Sequence, residues 1–371
     1  MIILTYFFCV LYVSLITIFF IGWRKKKTMS GASLQLVPKI SVVIPFRNEA
    51  ENLPKLLFAL QHQTFPHSEI VFVNDSSTDN SREIIENLRH KFQTCASICN
   101  DDWHLIDAAG YGKKNALREG IEKSSGELII CTDADCIPNK GWIESIAKFY
   151  AENQPDMIIA PVVMLDDKSV FGQMQALEFM SLQASTAGAA CAKMPIMCNG
   201  ANMAFPRQTW QRHSADLKDE KLSGDDMFLM MSVKRAKGNI AYLKSTDAVV
   251  FAFPCRTFAD FFNQRKRWVS KSTAYTDFFV ILTAFAVFGI SAMVIASVVW
   301  GILTGKWLLF AFVFLVKLVS DRILLYDYAK FAKSLHLLRW LFPLSLVYPF
   351  YVLLTAITGI FGRFEWKGRR E

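Results

Sequence analysis

Two aspartates separated by one residue offer the clearest metal chemistry in this sequence. Asp133 and Asp135 follow directly after the apolar run 127–131. Two carboxylates at the end of a strand could share a divalent cation of the kind that prefers oxygen ligands, and such a cation can neutralise a diphosphate as it leaves. The simpler interpretation is a pair of turn or helix-capping aspartates. The position at a strand end favours metal binding.

A second pair of carboxylates, Asp225 and Asp226, stands at the start of a predicted apolar helix. The positive end of the helix dipole favours carboxylates at this position, so helix capping explains the pair without any function. The functional alternative is a general base that takes a proton from the hydroxyl of an acceptor. The sequence leaves both interpretations open.

A Gln-x-x-Arg-Trp motif lies in the aromatic and basic segment 258–271, which is predicted to be a helix. Gln264 and Arg267 are about one helical turn apart, so both could face one diphosphate. The guanidinium of Arg267 could donate two charge-assisted hydrogen bonds to it. Trp268 offers a flat apolar plate for a sugar ring or for a surface close to lipid. Such a helix beside a membrane is commonly only an interface anchor. The spacing of the motif nevertheless arises by chance in only about a few per cent of chains with this composition, which makes it specific.

Alternating strands and helices must position these residues. Strands are predicted at 40–44, 69–73 and 127–131, and helices at 82–90 and 113–122. This alternation predicts an α/β domain with a mostly parallel sheet, in which ligands bind beyond the carboxyl ends of the strands. The three strands lead into polar side chains, namely Arg47 with Glu49, Asp75, and Asp133 with Asp135. Taken alone, Asp75 would be interpreted as an Asx-turn residue.

The composition indicates a membrane protein. Of the 371 residues 52% are hydrophobic, and the mean hydropathy is positive, whereas about 45–50% apolar usage is normal for soluble domains. The net charge of +8 comes with cations that flank apolar stretches, as at the cytoplasmic surface of membrane proteins. Disorder and nucleic-acid binding are therefore not expected. The eight cysteines form no Cys-x-x-Cys pair, which argues against a zinc ribbon or a disulfide framework.

Uncharged segments at both ends are predicted to enter the membrane. Residues 1–23 are long enough to cross about 30 Å of hydrocarbon and lack the features of a cleavable signal, so they predict a retained anchor. The basic run 24–27 places the following domain in the cytoplasm, at the inner membrane of the cell. Residues 278–362 predict about three further segments. In the middle one, Lys317 and Asp321 stand four residues apart and are expected to neutralise each other, with a role in substrate passage as the alternative.

The last apolar segment, 340–362, leaves the topology open. A fourth full crossing would put the basic tail 363–371 on the outside, against the positive-inside tendency. Pro343 and Pro349 could instead make the segment a re-entrant or interfacial hairpin.

Taken together, these residues resemble the inverting glycosyltransferases of family 2, which have the GT-A fold with a Rossmann-like mixed sheet. The resemblance covers residues 39 to about 271. It rests on SVVIPFRNEAENL (41–53), VNDSSTDNS (73–81), GKKNAL (112–117), TDAD (132–135), GDD (224–226) and QRKRW (264–268). Gln264, Arg267 and Trp268 match the Q-x-x-R-W motif found in polysaccharide synthases and ceramide glucosyltransferase-like enzymes, where they bind substrate.

The resemblance also implies roles for the strand-end residues. It implies that Glu49 and Asp75 contact the nucleotide, that Lys113 or Lys114 lies near its phosphates, and that Asp133 binds nucleotide and metal.

The same resemblance implies that Asp135 is the direct ligand of Mg²⁺ or Mn²⁺. Asp226 matches the catalytic base of the family motif T/S-E-D. Gly224 and Asp225 stand where the family more often has Thr-Glu, so the choice of base between Asp225 and Asp226 stays open.

The expected protein is a membrane-bound glycosyltransferase that transfers a sugar, from a UDP-linked hexose or N-acetylhexosamine, to a hydroxyl of a lipid or a growing polysaccharide. The expected domains are an anchor at 1–23, a glycosyltransferase domain at 39–255, an interfacial helix at 256–275, membrane segments at 278–362 and a basic tail at 363–371. The expected partners are the nucleotide sugar, the acceptor, the membrane and a partner for export. The alternatives are a polyprenyl-phosphate sugar synthase and a non-catalytic transport or scaffold subunit with a degenerate nucleotide-binding fold.

Overall fold

A computed structural model describes residues 1–29, 38–65, 68–93, 102–217, 224–361, 365–366 and 369–370 of the chain. The chain divides into two compact units. The sheet unit comprises Lys27–Val163 and Met197–Phe253, and the helical unit comprises Met1–Lys26, Met164–Ile196 and Pro254–Glu371. The predicted tail 363–371 lies almost entirely outside the residues whose side chains the structure describes.

The strands are β1 (Ile40–Phe46), β2 (Glu69–Asn74), β3 (Asp102–Asp107), β4 (Leu128–Cys131), β5 (Ile137–Pro138), β6 (Met157–Ile159), β7 (Val162–Met164), β8 (Met203–Pro206), β9 (Ile240–Tyr242), β10 (Val250–Ala252), β11 (Glu365–Trp366) and β12 (Arg369–Arg370). The strands β1, β2 and β3 have six or seven residues, and the other strands have four or fewer.

Among the described residues, five helices of more than 20 residues lie in the helical unit. All the helices are α1 (Ile2–Lys25), α2 (Leu53–Gln61), α3 (Ser81–Gln93), α4 (Lys113–Lys123), α5 (Trp142–Asn153), α6 (Val170–Cys191), α7 (Arg207–His213), α8 (Asp225–Arg235), α9 (Phe258–Ser270), α10 (Phe278–Thr304), α11 (Leu308–Phe331) and α12 (Leu341–Phe361). Short 3₁₀ helices lie at Ser214–Asp216, Lys271–Ala274 and Leu335–Trp340.

The sheet unit contains the α/β architecture that the sequence predicts. Its seven-stranded sheet has the order β3-β2-β1-β4-β8-β6-β9. The first four strands of this order are parallel to one another, and β8 is antiparallel to both of its neighbours. The prediction of a mixed α/β sheet is therefore confirmed. The predicted strands at 40–44, 69–73 and 127–131 correspond to β1, β2 and β4.

The register of the central strands brings the candidate site residues to one edge of the sheet. Phe46 pairs with Asn74, so β1 and β2 end side by side, and Cys131, the last residue of β4, pairs with Val43, three residues before the end of β1. Met203, the first residue of β8, pairs with Cys131. Because β8 runs in the opposite direction, the loop that leads into it reaches the same edge as the loop that follows β4.

Glycines allow α1 and α6 to pack closely in the helical unit. A Cβ atom on Gly188 would lie 2.5 Å from the carbonyl oxygen of Phe19, and one on Gly22 would lie 2.5 Å from the carbonyl oxygen of Gly188. Real side chains do not tolerate such distances, so the two backbones approach each other only because these residues are glycine. Helix α6 therefore belongs with the apolar helices, although the predicted boundaries 39–255 assign it to the glycosyltransferase domain.

The long helices have defined relative directions. Helix α10 is antiparallel to α1, because Phe8 contacts Phe285 while Thr5 contacts Met293. Helix α11 is parallel to α1, as three contacts show from one end to the other: Tyr6 with Phe312, Tyr12 with Asp321, and Arg24 with Asp327. The predicted pair forms within α11, where the Nζ of Lys317 lies 2.5 Å from a carboxylate oxygen of Asp321.

Three helical segments among the described residues are long and apolar enough to cross a membrane, namely Ile2–Lys25, Phe278–Thr304 and Leu335–Gly359. Helix α11 is of similar length but carries three charged side chains between Leu315 and Ile323. Large apolar side chains face outward on these helices, as Ile3 and Leu308 do at 87% and 84% exposure. Such a surface is suited to lipid rather than to water.

Candidate active site

Hydrogen bonds join the loops that follow β1 and β2. The guanidinium of Arg47 donates to the carbonyl oxygens of Asp75 and Ser76, at 2.9 and 2.6 Å. The backbone N–H of Glu49 donates to the hydroxyl of Ser81 at 2.7 Å, and its carboxylate accepts a hydrogen bond from the amide of Asn52, also at 2.7 Å. Glu49 is thus fixed at the carboxyl edge of the sheet.

Asp75 is buried and connects the end of β2 to the start of α4. Its Oδ1 accepts a hydrogen bond from the backbone N–H of Gly112 at 2.9 Å. Gly112 has a φ of 95°, in the region that favours glycine, and the next residue begins α4. Asp75 therefore positions the first turn of the helix that carries Lys113 and Lys114.

The two adjacent lysines have different surroundings. The Nζ of Lys113 lies 2.5 Å from Oδ1 of Asp133. Burial acts to lower the pKa of Lys113, but the carboxylates of Asp133, Asp225 and Asp226 raise it above the ordinary lysine value, so the side chain is cationic at neutral pH. Lys114 is directed elsewhere: its Nζ donates to the carbonyl oxygen of Leu217 at 2.6 Å.

Asp133 and Asp135 follow β4 as the sequence predicts; Asp133 is half-buried and Asp135 is exposed. Between them and the strand, the hydroxyl of Thr132 is buried and has no hydrogen-bond partner among the described residues. Oxygen atoms of this kind fit a hard divalent cation such as Mg²⁺ or Mn²⁺. The described residues contain no cluster of three or more His, Cys, Asp or Glu side chains that would hold a metal by themselves. The residues therefore fit a cation that shares its ligands with a bound diphosphate.

Asp226 is the more accessible residue of the second pair. Asp225 is only 3% exposed, whereas Asp226 is half-buried at the first turn of α8. The two oxygens of Asp226 accept hydrogen bonds from the backbone N–H groups of Gly200 and Met227, at 3.0 and 2.8 Å. One bond satisfies an N–H in the first turn of α8, and the other holds the carboxylate against the loop that contains Gly200.

Gly200 lies between Lys113 and Asp226. A Cβ atom on this glycine would lie 3.3 Å from the Nζ of Lys113 and 3.7 Å from Oδ2 of Asp226. The cation that pairs with Asp133 and the carboxylate proposed as base thus border the same small space. The structure therefore brings Asp75, Lys113, Asp133 and Asp226 together at one edge of the sheet.

Buried thiols surround these carboxylates. Burial is the main cause that raises the pKa values of Cys131, Cys136 and Cys198 above the ordinary thiol value, and nearby aspartates raise them further. These cysteines are therefore neutral thiols at physiological pH and poor nucleophiles.

Gln264, Arg267 and Trp268 lie on α9 in the helical unit, as the predicted helix requires. The side-chain oxygen of Gln264 accepts a hydrogen bond from the guanidinium of Arg265. The ring of Trp268 lies 6.3 Å from that of Phe179 and carries the guanidinium of Arg265 at 4.1 Å from its centre. The motif is therefore assembled within the helical unit.

Sequence reasoning did not assign roles to the residues that position these groups. The backbone N–H groups of Gly112 and Gly200 orient Asp75 and Asp226. A signal was present in both places, since a glycine precedes the two lysines and the segment 198–202 consists of small residues. Arg265 and Glu178 carried no such signal.

Two family models match the chain. Residues 41–208 match the model described as glycosyl transferase family 2, and residues 128–360 match glycosyl transferase family group 2. The chain belongs to the family 2 glycosyltransferases, and it combines their catalytic domain with membrane helices.

Several characterised proteins are similar to part of the chain. The glycosyltransferase AglE of Haloferax volcanii is 34% identical over 29% of this chain and 34% of its own length. The poly-beta-1,6-N-acetyl-D-glucosamine synthase of Staphylococcus epidermidis is 30% identical over 40% of this chain and 34% of its own length. The undecaprenyl-phosphate 4-deoxy-4-formamido-L-arabinose transferase of Shewanella sediminis is 36% identical over 27% of this chain and 30% of its own length. The chain thus matches only about a third of the length of each relative.

A solved structure has the same fold over almost the whole chain. The mannosyltransferase PcManGT from Pyrobaculum calidifontis, in complex with GDP-Man and Mn²⁺, superposes with a TM-score of 0.56 at 16% identity. The match covers 95% of this chain and 99% of that one. It confirms the predicted GT-A fold.

Proposed function

We propose that this glycosyltransferase inverts the anomeric configuration as it transfers a hexose or N-acetylhexosamine from a UDP-linked donor to a hydroxyl of a membrane-associated acceptor. The observation that carries the proposal is the position of Gly200 between the Lys113 ammonium and the Asp226 carboxylate. A base and a cation that border one space are what a single displacement at a sugar carbon requires, since one face needs a proton acceptor and the other needs positive charge.

Asp226 takes the proton of the acceptor hydroxyl in this mechanism. Its orientation by the N–H groups of Gly200 and Met227 leaves no rotational freedom to be lost when the acceptor arrives. The acceptor oxygen attacks the anomeric carbon, and the bond from that carbon to the diphosphate oxygen breaks. The sugar gains positive charge as this bond lengthens, so stabilisation of the leaving diphosphate is the main demand on the site.

Lys113 supplies positive charge to the leaving group. It is held by Asp133 and by the first turn of α4, which Asp75 anchors through Gly112. A divalent cation bound by Asp135 and Asp133 would supply further neutralising charge to the diphosphate. Glu49 and Asp75 are proposed to contact the nucleotide. On the basis of the motif alone, we include Gln264, Arg267 and Trp268 among the substrate-binding residues.

The acceptor is proposed to be a lipid or a growing polysaccharide. A polysaccharide is supported by the similarity to the N-acetylglucosamine polymer synthase. The similarity to the undecaprenyl-phosphate transferase supports the alternative of a polyprenyl-phosphate sugar synthase, in which a phosphate oxygen and not a hydroxyl would accept the sugar. The alternative of a non-catalytic subunit is not retained, because the chain belongs to a family of enzymes.

We place the sheet unit on the cytoplasmic side of the inner membrane. The basic run Arg24–Lys27 follows α1 directly, and such runs stay on the cytoplasmic side. The ion pair between Arg24 and Asp327, at 3.3 Å, aligns the corresponding end of α11 with this surface.

The test is incubation of membranes that contain the protein with a panel of labelled nucleotide sugars and Mg²⁺ or Mn²⁺. Separation of the products into organic-soluble and high-mass fractions distinguishes a lipid acceptor from a polymer, and NMR of the product gives the anomeric configuration. Membranes with the Asp226→Asn variant serve as the control. Transfer with retained configuration, or equal transfer by the variant, would contradict the proposal.

A further inference from the structure

Helix α6 carries three buried polar side chains that bind other segments of the helical unit. Gln173, Gln175 and Glu178 are 5%, 2% and 4% exposed. Gln175 binds both backbone groups of Cys255, accepting from its N–H at 2.9 Å and donating to its carbonyl at 3.1 Å. Cys255 lies just before α9, so α6 fixes the chain at the entry to that helix.

Glu178 binds the middle of the same helix. Its carboxylate accepts two hydrogen bonds from the guanidinium of Arg265, one of them at 3.2 Å from Nε. The hydroxyl of Tyr351, on α12, lies 3.4 Å from the carboxylate. Both members of the Glu178–Arg265 pair are nearly inaccessible to solvent. The two-point geometry restricts both the rotation and the axial position of α9.

Arg265 connects this ion pair to the motif on both sides. One nitrogen donates to the side-chain oxygen of Gln264. The flat face of the guanidinium lies over the ring of Trp268 at 4.1 Å and over that of Phe261 at 4.6 Å. Glu178 therefore acts on the first and last residues of Gln-x-x-Arg-Trp through a single intermediate side chain.

The charges of the pair depend on each other. Burial acts to lower the pKa of Arg265, but Glu178 more than compensates, so the pKa is raised and the guanidinium stays charged. Removal of the carboxylate alone would leave a buried positive charge without its counter-ion, which is strongly unfavourable. Relief requires α9 or the segments packed on Arg265 to rearrange, because the Arg265 side chain is only 3% exposed in the present packing.

We propose that Glu178 is a positioning residue for substrate binding: through Arg265 it fixes α9, and with it the orientation of Gln264, Arg267 and Trp268. The expected effect on turnover rests on the proposed function, whereas the expected effect on the order of α9 does not. No residue of the Gln-x-x-Arg-Trp signature itself reveals this partner, which lies more than 80 positions earlier in the chain.

The test compares Glu178→Gln with Gln173→Met in the full-length protein in detergent. Gln173 is a matched control, because it is equally buried on the same helix but accepts its hydrogen bonds from Arg339 and Trp340 rather than from α9. Hydrogen exchange of peptides covering 258–270 and 280–300 is measured, together with kcat and KM for the donor.

We expect Glu178→Gln to increase exchange in 258–270 but not in 280–300, and to lower kcat per folded molecule by about 100-fold. Gln173→Met should leave both quantities near those of the wild type. The proposal is overturned if Glu178→Gln leaves exchange in 258–270 unchanged, or if the two variants lower kcat equally.

Two additions keep the test decisive. If Glu178→Gln does not fold, the double variant Glu178→Met with Arg265→Met removes the pair without leaving a buried charge. Hydrogen exchange of the peptides covering 258–270 and 280–300, and kcat and KM for the donor, are then measured on the double variant. If the wild type transfers no sugar from any donor, the proposed function fails. The hydrogen-exchange comparison still decides whether Glu178 fixes α9.

Discussion

The Nζ of Lys113 lies 2.5 Å from Oδ1 of Asp133, whereas the Nζ of the adjacent Lys114 donates to the carbonyl oxygen of Leu217. The two side chains diverge because neighbours on a helix lie about 100° apart around its axis. Lys113 therefore brings its charge to the carboxylates after β4. The Nζ of Lys114 also lies 4.9 Å from the centre of the Phe228 ring, so Lys114 connects Leu217 to α8.

This divergence predicts different effects for one substitution at the two lysines. Lys113→Gln should lower kcat by about 100-fold or more, because a charge on the leaving diphosphate is lost. Lys114→Gln should mainly lower the thermal unfolding temperature, because a buried carbonyl loses its donor. Turnover and thermal unfolding of both variants check this. An equal loss of kcat in the two would contradict the assignment.

Substitution of the second aspartate pair should identify the general base. Asp226→Asn should lower kcat by about 100-fold to 10,000-fold while nucleotide binding is largely retained, since the isosteric amide cannot accept the proton. Asp225→Asn keeps its buried volume and should retain much more activity. Turnover and calorimetric titration with UDP and Mn²⁺ measure these effects. The opposite ranking would make Asp225 the base.

A single methyl group at Gly200 should disturb the site without unfolding it. In Gly200→Ala the new Cβ would lie 3.3 Å from the Nζ of Lys113 and 3.7 Å from Oδ2 of Asp226. We expect kcat to fall by at least about tenfold, because small displacements at a reacting centre are costly. The unfolding temperature should change little, since the neighbouring Lys113 tip can shift. Unchanged turnover would show that this space is not used by the substrate.

The buried thiols should resist alkylation in the folded protein. The pKa values of Cys131, Cys136 and Cys198 are raised, so the reactive thiolate forms are depleted at pH 7.5 and become populated only at strongly alkaline pH. Mass spectrometry after iodoacetamide treatment should find these three unmodified, and modified after denaturation. The half-buried Cys255 provides the comparison. Rapid labelling of the three in the folded protein would contradict their burial.

The contacts of α12 predict the side on which the chain ends. Gly359, near the end of α12, contacts Val269 at the end of α9, and Tyr351 stacks on Phe261 near the start of α9. Helix α12 therefore runs alongside α9 in the same direction. This arrangement agrees with a re-entrant or interfacial segment at 340–362 and not with a fourth full crossing of the membrane. An affinity tag after residue 371 should be accessible from the same side as the basic residues at the end of α1, Arg24 and Lys25.

The loop between α10 and α11 should lie on the opposite side of the membrane from the C-terminal tag. In Lys306→Cys, a membrane-impermeant thiol reagent should label residue 306 in right-side-out vesicles, in which the C-terminal tag is protected. Wild-type vesicles give the background from native cysteines. Access to the tag and to residue 306 from the same side would contradict this topology.

Regular patterns in the sequence were sufficient to predict the sheet and the D-x-D position. Strands β1, β2 and β4 are continuous apolar runs, and the polar residues after them share an edge because the strands are parallel. The choice between Lys113 and Lys114 could not be predicted, because it depends on the residue at which α4 begins. That residue is set by a glycine with positive φ and by Asp75, which lies 37 positions earlier.

Helix α6 shows why the division into units could not be predicted. Its sequence mixes small, apolar and amide side chains without a clear polar face, and 15 of its 22 residues are buried. Such a helix is compatible with either a sheet or other helices as a neighbour. Its partner is decided by Gly22 and Gly188, whose significance is visible only when the two helices are placed together.

The contact between Gly22 and Gly188 also constrains how the protein is made. Helix α1 emerges from the ribosome well before α6 exists, and Asp321, the partner of Tyr12, follows about 300 residues later. During translation α1 therefore lies in the bilayer before its partners are made, with Gly22 not yet packed against α6 and the hydroxyl of Tyr12 not yet bound to Asp321. Nascent chains that stop before α11 would present these groups to insertion and quality-control factors, so assembly of the helical unit is completed only when the last third of the polypeptide has been delivered.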